Sequence, residues 1–548
     1  MSLCEDLQAQ GIDVSDAPDV LKKHSHDTSI FEKRPQIVVY PKNASDVATV
    51  VALVHEKAAS GEKISIAARA AGTDMTGGPL TDSISLSFTE QMHKIWEVTP
   101  AYVVTEPGVF YRDLEKETLA KVGALIPSYP ASRELCALGG MIGNNSGGEL
   151  TLRYGKTANY VEELDIVLSD GSQTTFRSLS QSEVAQKQAQ QSFEGSIYRG
   201  VHDLIVENHD VIEAARPHVS KNSAGYALWD VWDDKTGMFD LSKLIVGSQG
   251  TLGIVTRARL KLMMLKKHRA MVVIFVRDIH ELPEIVRRVM KHSPESFESY
   301  DDQTFKLAVR FMPQIIGHFG FTLMMRLGFA FLPELWMVLT GGVPKLILMA
   351  EFAEDTPEMA REKAREARLS LADLPVKTKL THGEMDAKKY WIIRREAFSL
   401  LRKNLRGLYA SPFIDDLVVP IESYPEFIPA LSKLLAEYDL IYTIQGHIGN
   451  GNFHIIPLMN LGDAKARATI LELTPKVYDL VFKFGGSSTG EHNDGIIRTP
   501  YLEKMFGAKM VALFAEVKRI FDPLNILNPC KKVGGTVGDI EKYMLKKQ

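Results

Sequence analysis

His447 and His454 bracket a turn-rich hexapeptide in the stretch Gln445-Gly446-His447-Ile448-Gly449-Asn450-Gly451-Asn452-Phe453-His454. Asn-Gly between two extended runs signals a hairpin. A fold-back at Asn450-Gly451 predicts the two imidazoles opposite each other on neighbouring strands, on one face. Opposed residues have Cβ atoms about 5 Å apart, which suits two imidazoles sharing a divalent cation at roughly 2 Å per bond. A third ligand is then needed, and Ser488-Thr489-Gly490-Glu491-His492 offers a carboxylate beside another histidine. The same residues also fit a packed cross-strand pair with Glu491 capping a helix. The spacing marks a binding site without naming its reaction.

At 548 residues the chain predicts two large domains rather than one core. Ile37-Val38-Val39-Tyr40 reads as a strand, followed by a turn and a helix begun at Ser45-Asp46. Further strand-like runs lie at 64–67, 83–88, 102–106, 164–168 and 244–246, several separated by Gly, Pro or Asp-Gly turns. From about 268 the texture changes. A strand is expected at 271–276, helices at 281–291 and 357–372, and strands at 414–419 and 441–456. Helices at 463–484 and about 505–520 follow, the last stopped by Phe521-Asp522-Pro523. The pattern is α+β.

The formal net charge is −4 and no basic run with interleaved aromatics occurs, which disfavours nucleic acid as a partner. Cys4, Cys136 and Cys530 lack pair spacing, which argues against a disulfide framework and fits a reducing, cytoplasmic compartment. They are also too few for a four-cysteine iron–sulfur cluster. No secretory signal is expected from Met1–Gln10. Residues 311–352 are dense in Phe, Leu, Met and Trp, but charges and Pro333 and Pro344 interrupt them. They fall short of the roughly 18 uninterrupted apolar residues of a spanning helix. A buried helical layer or greasy lid is expected there, with peripheral contact at the inner face of a membrane as the alternative.

Three glycine-rich loops lie in the first half: Ala70–Gly78, Gly139–Gly148 and Gly247–Gly253. Glycine lets backbone N–H groups approach a phosphate closely. None matches the Rossmann or P-loop fingerprints, and any one alone reads as a tight turn. Three together favour a long cofactor lying across several loops.

With Glu106-Pro107-Gly108-Val109 and Leu244 to Thr256, these loops resemble the FAD domain of the vanillyl-alcohol-oxidase and p-cresol-methylhydroxylase (PCMH) superfamily. The His-hairpin, Glu491-His492 and the closing Phe521-Asp522-Pro523…Leu527-Asn528-Pro529 resemble its 2-hydroxy-acid dehydrogenase branch, which holds D-lactate dehydrogenases, glycolate oxidase FAD subunits and D-2-hydroxyglutarate dehydrogenases. The resemblance implies a two-subdomain PCMH-type FAD-binding domain at 36–265 after an extension at 1–35. An α+β cap with an antiparallel sheet would follow at 266–500, and a C-terminal segment, 501–548, would pack back on the FAD domain. It places Ala71, Gly72, Thr73, Asp74, Met75, Thr76 and Gly77 at the pyrophosphate. Pro107, Ser132, Gly139, Gly140, Asn145, Ser146 and Gly147 would run along the ribityl chain and flavin. Gly250, Gly253 and Ile254 would complete the channel, and Asn528 would approach the flavin ring. Covalent members use a histidine in the first loop; none lies between Ala70 and Pro79, so non-covalent FAD is expected. Gln249 and Asn450 stand where the branch usually has Glu and Asp.

Oxidising a 2-hydroxy acid takes the hydroxyl proton and sends the Cα hydride to flavin, and the weakly acidic hydroxyl needs a metal or a base. The resemblance implies a divalent cation, zinc first, on His447, His454 and Glu491, with His492 as the base. Arg394, in Trp391 to Phe398, resembles the branch's arginine for the substrate carboxylate, although a solvated helix arginine reads the same way. Ile414 stands where hydroxyglutarate dehydrogenases place a lysine for a distal carboxylate, which points to D-lactate. Glycolate or D-2-hydroxyglutarate oxidation, an alkylglycerone-phosphate-synthase-like exchange, and a non-catalytic FAD subunit are the alternatives. The electron acceptor would be an iron–sulfur subunit, an electron-transfer flavoprotein or a quinone.

Overall fold

The computed structural model describes residues 3–302, 304, 342–383, 386–394 and 407–546. The expected lid or membrane contact at 311–352 falls largely outside the described residues. Its described end, Leu346–Glu354, is a buried strand rather than part of a helical layer.

Three of the four sheets among the described residues organise the chain. The first joins Asp13–Ser15, Ile37–Tyr40, Ile84–Ser87 and Ile66–Arg69 in that order, with the last three parallel. Helix Ala44–Ala59 covers it, capped by Asn43, which accepts from the Asp46 N–H. The second sheet is antiparallel, in the order Ile95–Val98, Tyr102–Thr105, Ile254–Lys261, Val161–Val167, Gln173–Arg177. Its strand Ile254–Lys261 alternates Ile, Thr, Ala and Leu inward with Arg257, Arg259 and Lys261 outward. That period of two buries one face and solvates the other.

The third sheet is the platform for the site. Its antiparallel path runs Lys377–Leu380, His268–Val276, Leu346–Glu354, Ser296–Asp301, Ile441–His447, Asn452–Met459 and Tyr409–Ala410, with Leu417–Val418 also pairing Asn452–Met459. In the strand His268–Val276 the side chains separate by parity. Val272, Ile274 and Val276 enter one core with helices Leu282–Met290, Pro357–Leu369 and Tyr424–Ala436. Met271, Val273 and Phe275 enter a smaller cluster with Tyr300, Met349, Tyr390 and Ile393. Glu298 shares the parity of Tyr300, so it lies on the smaller cluster's face, which also carries the histidines.

Three sequence expectations change. The strand expected at 414–419 is confined to Leu417–Val418. Residues 244–246 do not form a strand: Ser242–Ile245 is a helical turn, with the Asp240 carboxylate accepting from the Ser242 N–H at 2.9 Å. The long C-terminal helix is Leu502–Phe521, interrupted at Gly507 (φ +78°). Its Met510, Phe514, Val517 and Phe521 pack into the core of the second sheet, and Ile526 and Leu527 into that of the first. The end of the chain thus returns to the two N-terminal sheets, although Ile540 and Met544 join the cap core.

Candidate active site

Gly451, at φ +70°, closes a helical turn at Ile448–Asn450 between the two hairpin strands. The loop therefore uses four residues, not Asn-Gly alone, and the register shifts accordingly. His447 faces Asn452 and His454 faces Gln445. The histidines are diagonal rather than directly opposed, but they share a face, with ring centroids 5.2 Å apart.

Each hairpin histidine has a carboxylate on its Nδ1 side. Glu298 Oε1 lies 2.7 Å from His447 Nδ1, and Asp415 Oδ1 lies 3.1 Å from His454 Nδ1. Such contacts fix tautomer and ring orientation. The two Nε2 atoms then converge on Glu491 Oε1, at 3.2 Å from His447 and 3.4 Å from His454. His447, His454 and Glu491 have ligand atoms within 4.8 Å of one another. Two imidazoles and a carboxylate suit zinc with open positions. Asp415, His454 and His492 meet the same distance test, but there His454 would have to give up its orienting contact. The first triad is the better fit.

Arg394, from the helix at 386–394, is buried and pairs with Glu298. Its Nε is buried and has no hydrogen-bond partner among the described residues, so one donor of the guanidinium is unspent, although Arg394 does not line the cavity formed by the glycine loops. His492 stacks on His454 with centroids 5.2 Å apart, and its Nδ1 lies 2.9 Å from Asp415 Oδ2.

Burial opposes charge on these groups, yet their partners decide their state. Arg394 and His447 hold the Glu298 carboxyl below its ordinary pKa despite burial. Lys221 and His447 hold that of Glu491 far below. His454, penalised by burial, is nevertheless raised to about 10 by Asp415 and Glu491. His492 is raised too, by Asp416 and then Asp415 against burial, so it is a stronger base than the ordinary imidazole assumed from sequence.

Asp416 holds the Glu491-His492 segment in place. Its backbone has φ +65°, a left-handed conformation uncommon outside glycine and Asn. Its Oδ2 accepts from Thr489 Oγ1 at 2.5 Å, Glu491 N at 2.9 Å and His492 N at 2.8 Å, and its Oδ1 from Asn452 Nδ2 at 3.0 Å. Sequence reasoning missed Glu298, Lys221 and the separate tasks of Asp415 and Asp416. The acidic doublet inside the apolar run Ile414 to Val419 was a usable signal, because buried carboxylates need partners.

The glycine loops line one cavity, and Glu491 and His492 line it as well. Of the residues expected at the cofactor, Ala71, Gly72, Thr73, Asp74, Met75, Pro107, Ser132, Gly139, Gly140, Ser146, Gly147, Gly250 and Gly253 line this cavity. Thr76, Gly77, Asn145, Ile254 and Asn528 do not. Thr76 is fully buried and its carbonyl accepts from Ile496 N. Gly77 abuts Phe31 and Ile496. Asn145 ends the helix Leu138–Asn144 in a left-handed conformation, and its side chain accepts from Ala158 N. Ile254 packs in the first sheet's core. Asn528 Nδ2 donates to the carbonyls of Gly78 and Gln249, tying two loops together.

Gly147 shows how near the loops come to the hairpin site. A Cβ there would meet Thr151 Oγ1 at 2.6 Å and Glu491 Oε2 at 3.3 Å. Gln249 bridges the two regions, its Oε1 accepting from Gly495 N at 2.8 Å and its Nε2 donating to Asn144 Oδ1 at 3.1 Å. A slot walled by backbone and small side chains fits an extended dinucleotide cofactor such as FAD, and His492 lies on its wall.

Residues 265–532 match the family described as FAD linked oxidases, C-terminal domain, and residues 35–177 the FAD binding domain. D-2-hydroxyglutarate dehydrogenase of Pseudomonas putida is 27% identical over 522 residues, covering 93% of this chain and 50% of that protein. Glycolate oxidase subunit GlcD of Bacillus subtilis is 25% identical, covering 93% and 91%. D-lactate dehydrogenase of Archaeoglobus fulgidus is 26% identical, covering 91% of each. The chain thus spans about half the length of the D-2-hydroxyglutarate dehydrogenases it matches. In fold it resembles 4-ethylphenol oxidase from Gulosibacter chungangensis, with TM-score 0.67, 14% identity, and 95% and 94% of the chains covered. It also resembles an alkyldihydroxyacetonephosphate synthase, with TM-score 0.62, 14% identity, and 94% and 82% covered. The chain belongs to the FAD-linked oxidases built on a PCMH-type FAD-binding domain, in the branch of the 2-hydroxy-acid dehydrogenases.

Proposed function

We propose that this chain oxidises a small D-2-hydroxy acid, D-lactate first, to the 2-oxo acid, with non-covalent FAD and an external electron acceptor. The observation that carries the reading is the cavity itself, where Glu491 and His492 share a wall with the glycine loops. FAD, when bound, takes up the hydride from the substrate Cα. A divalent cation on His447, His454 and Glu491 would withdraw charge from the substrate's hydroxyl and carboxylate oxygens. His492 takes the hydroxyl proton at Nε2, because its Nδ1 faces Asp415. Arg394, whose Nε has no partner among the described residues, would orient the carboxylate with that donor. Reoxidation of the flavin then requires a separate acceptor: an iron–sulfur subunit, an electron-transfer flavoprotein or a quinone.

Ile414 is fully buried in the cap core and does not line the cavity, so it does not bear on specificity in the way the sequence suggests. Among the described residues, Arg394 and Lys221 pair with the cluster's carboxylates Glu298 and Glu491. Among the described residues, Arg69 is the one Lys or Arg that lines the cavity, and it donates to the His26 carbonyl; this favours a monocarboxylate. D-2-hydroxyglutarate is the second reading, favoured by the relatives at 25–27% identity. Anaerobic titration of the yellow protein with D-lactate, L-lactate, glycolate and D-2-hydroxyglutarate tests both. Bleaching by D-lactate at the lowest concentration supports the first, stronger bleaching by D-2-hydroxyglutarate supports the second, and a flavin that none of them bleaches refutes both. No helix among the described residues is long and apolar enough to cross a membrane.

A further inference from the structure

We infer that Lys221 is a positioning residue that holds Glu491 to one-oxygen ligation, setting how tightly the site binds its cation and how much of it stays open to substrate. The inference rests on reading His447, His454 and Glu491 as a metal site. Lys221 comes from the FAD-binding half of the chain, 270 residues from Glu491, and its side chain is fully buried. Its Nζ lies 2.9 Å from Glu491 Oε2 and 3.4 Å from Asn452 Oδ1. The other oxygen, Oε1, is the one that faces both Nε2 atoms. The two carboxylate oxygens thus have different partners on different sides.

Lys221 has little freedom to leave. Ser220 Oγ donates to the Asn450 carbonyl in the hairpin turn. Asn222 Oδ1 accepts from Ser487 Oγ at 2.7 Å, and Ser223 N donates to Thr489 O at 3.1 Å. Both neighbours of Lys221 are therefore bonded to the segments that carry the triad. A desolvated ammonium is a fixed positive charge with three donors. Placed behind the ligating carboxylate, it blocks two-oxygen binding and repels a divalent cation, so positions remain for substrate oxygens. A purely structural ion pair makes the opposite prediction, because its loss would disorder Glu491 and weaken the site.

The sign of the change in metal affinity separates the two. The experiment uses the full-length, FAD-loaded protein and measures Zn²⁺ affinity by competition with a chromophoric chelator. Wild type should bind one Zn²⁺ per chain. Lys221→Met should bind it about tenfold tighter, within the range by which outer-shell groups shift metal affinity, and its KM for D-lactate should rise. Lys221→Arg, which keeps the charge, should stay near wild type. If Lys221→Met does not fold, Lys221→Gln, which keeps a donor to Oε2 without charge, carries the same test. Zinc binding by wild type that is equal or weaker in a folded, yellow Lys221→Met or Lys221→Gln variant overturns the inference and leaves the metal reading intact. A wild type that takes up no zinc overturns both.

Discussion

Asp416→Asn is the sharpest test of how Glu491 and His492 are held. The four bonds on this buried carboxylate join Asn452 to Thr489, Glu491 and His492. An amide keeps one acceptor oxygen and turns the other into a donor. If the oxygen stays at Oδ2, the three bonds to the Glu491 segment survive without charge, and the amide nitrogen confronts Asn452 Nδ2. Asn452 cannot turn to compensate, because its Nδ2 also donates to Leu417 O and its Oδ1 faces Lys221. Bonds to charged groups contribute about 1.5–3 kcal/mol and neutral ones about 0.5–1.5. One lost bond and three weakened ones, offset in part by removal of a buried charge, come to about 3 kcal/mol. At about 1.4 kcal/mol per tenfold, that is a hundredfold rise in local opening. Hydrogen exchange of a peptide spanning 487–493 reads it directly, with the strand Val161–Val167 as an internal control. Unchanged exchange in the 487–493 peptide would refute the claim that Asp416 latches these residues. Equal acceleration in both peptides would show a global rather than a local effect.

Other perturbations address the chemistry. His492→Asn should slow anaerobic flavin bleaching by D-lactate by about 10²–10⁴ while flavin stays bound; an unchanged stopped-flow rate removes His492 as the base. Arg394→Lys should raise KM for D-lactate about 10- to 100-fold, since a lysine cannot offer the planar fork, and steady-state kinetics with an artificial acceptor would show it. Prolonged chelator treatment should abolish bleaching without unfolding the chain, because Lys221 and the two imidazoles still partner Glu491; loss of the circular-dichroism signal would make the cation structural. Gln249→Glu places an oxygen against Asn144 Oδ1, where the amide now donates, and should weaken FAD retention by about 1–3 kcal/mol. Flavin release measured by filtration checks that expectation.

The parts legible in the sequence were those with local signals. Gly451 and its asparagine neighbours announced the hairpin, and the closely spaced glycines announced the cavity wall. The register did not follow from Asn-Gly, because the loop length that sets it depends on the helical turn at Ile448–Asn450. Glu298 lies 149 residues from His447, and Lys221 lies 270 from Glu491; no periodicity links such pairs. Charge balance would have demanded them. Glu298, Glu491, Asp415 and Asp416 are buried, and Arg394 and Lys221 pair with two of them. Buried carboxylates are retained only when paired or bonded. Arg498 and Lys156 also lie nearby, but Arg498 gives its bonds to the carbonyls of Ser488, Asn493 and Asp415, and Lys156 donates to the carbonyls of Asn222 and Gly490. The remaining demand falls on the imidazoles, which is why His454 is raised to about 10 and His492 is raised beside it. A divalent cation between His447, His454 and Glu491 would relieve the same excess of negative charge. Protons on the histidines or a metal on the triad would each neutralise that excess, and which of them does so would decide whether His492 is free to act as a base.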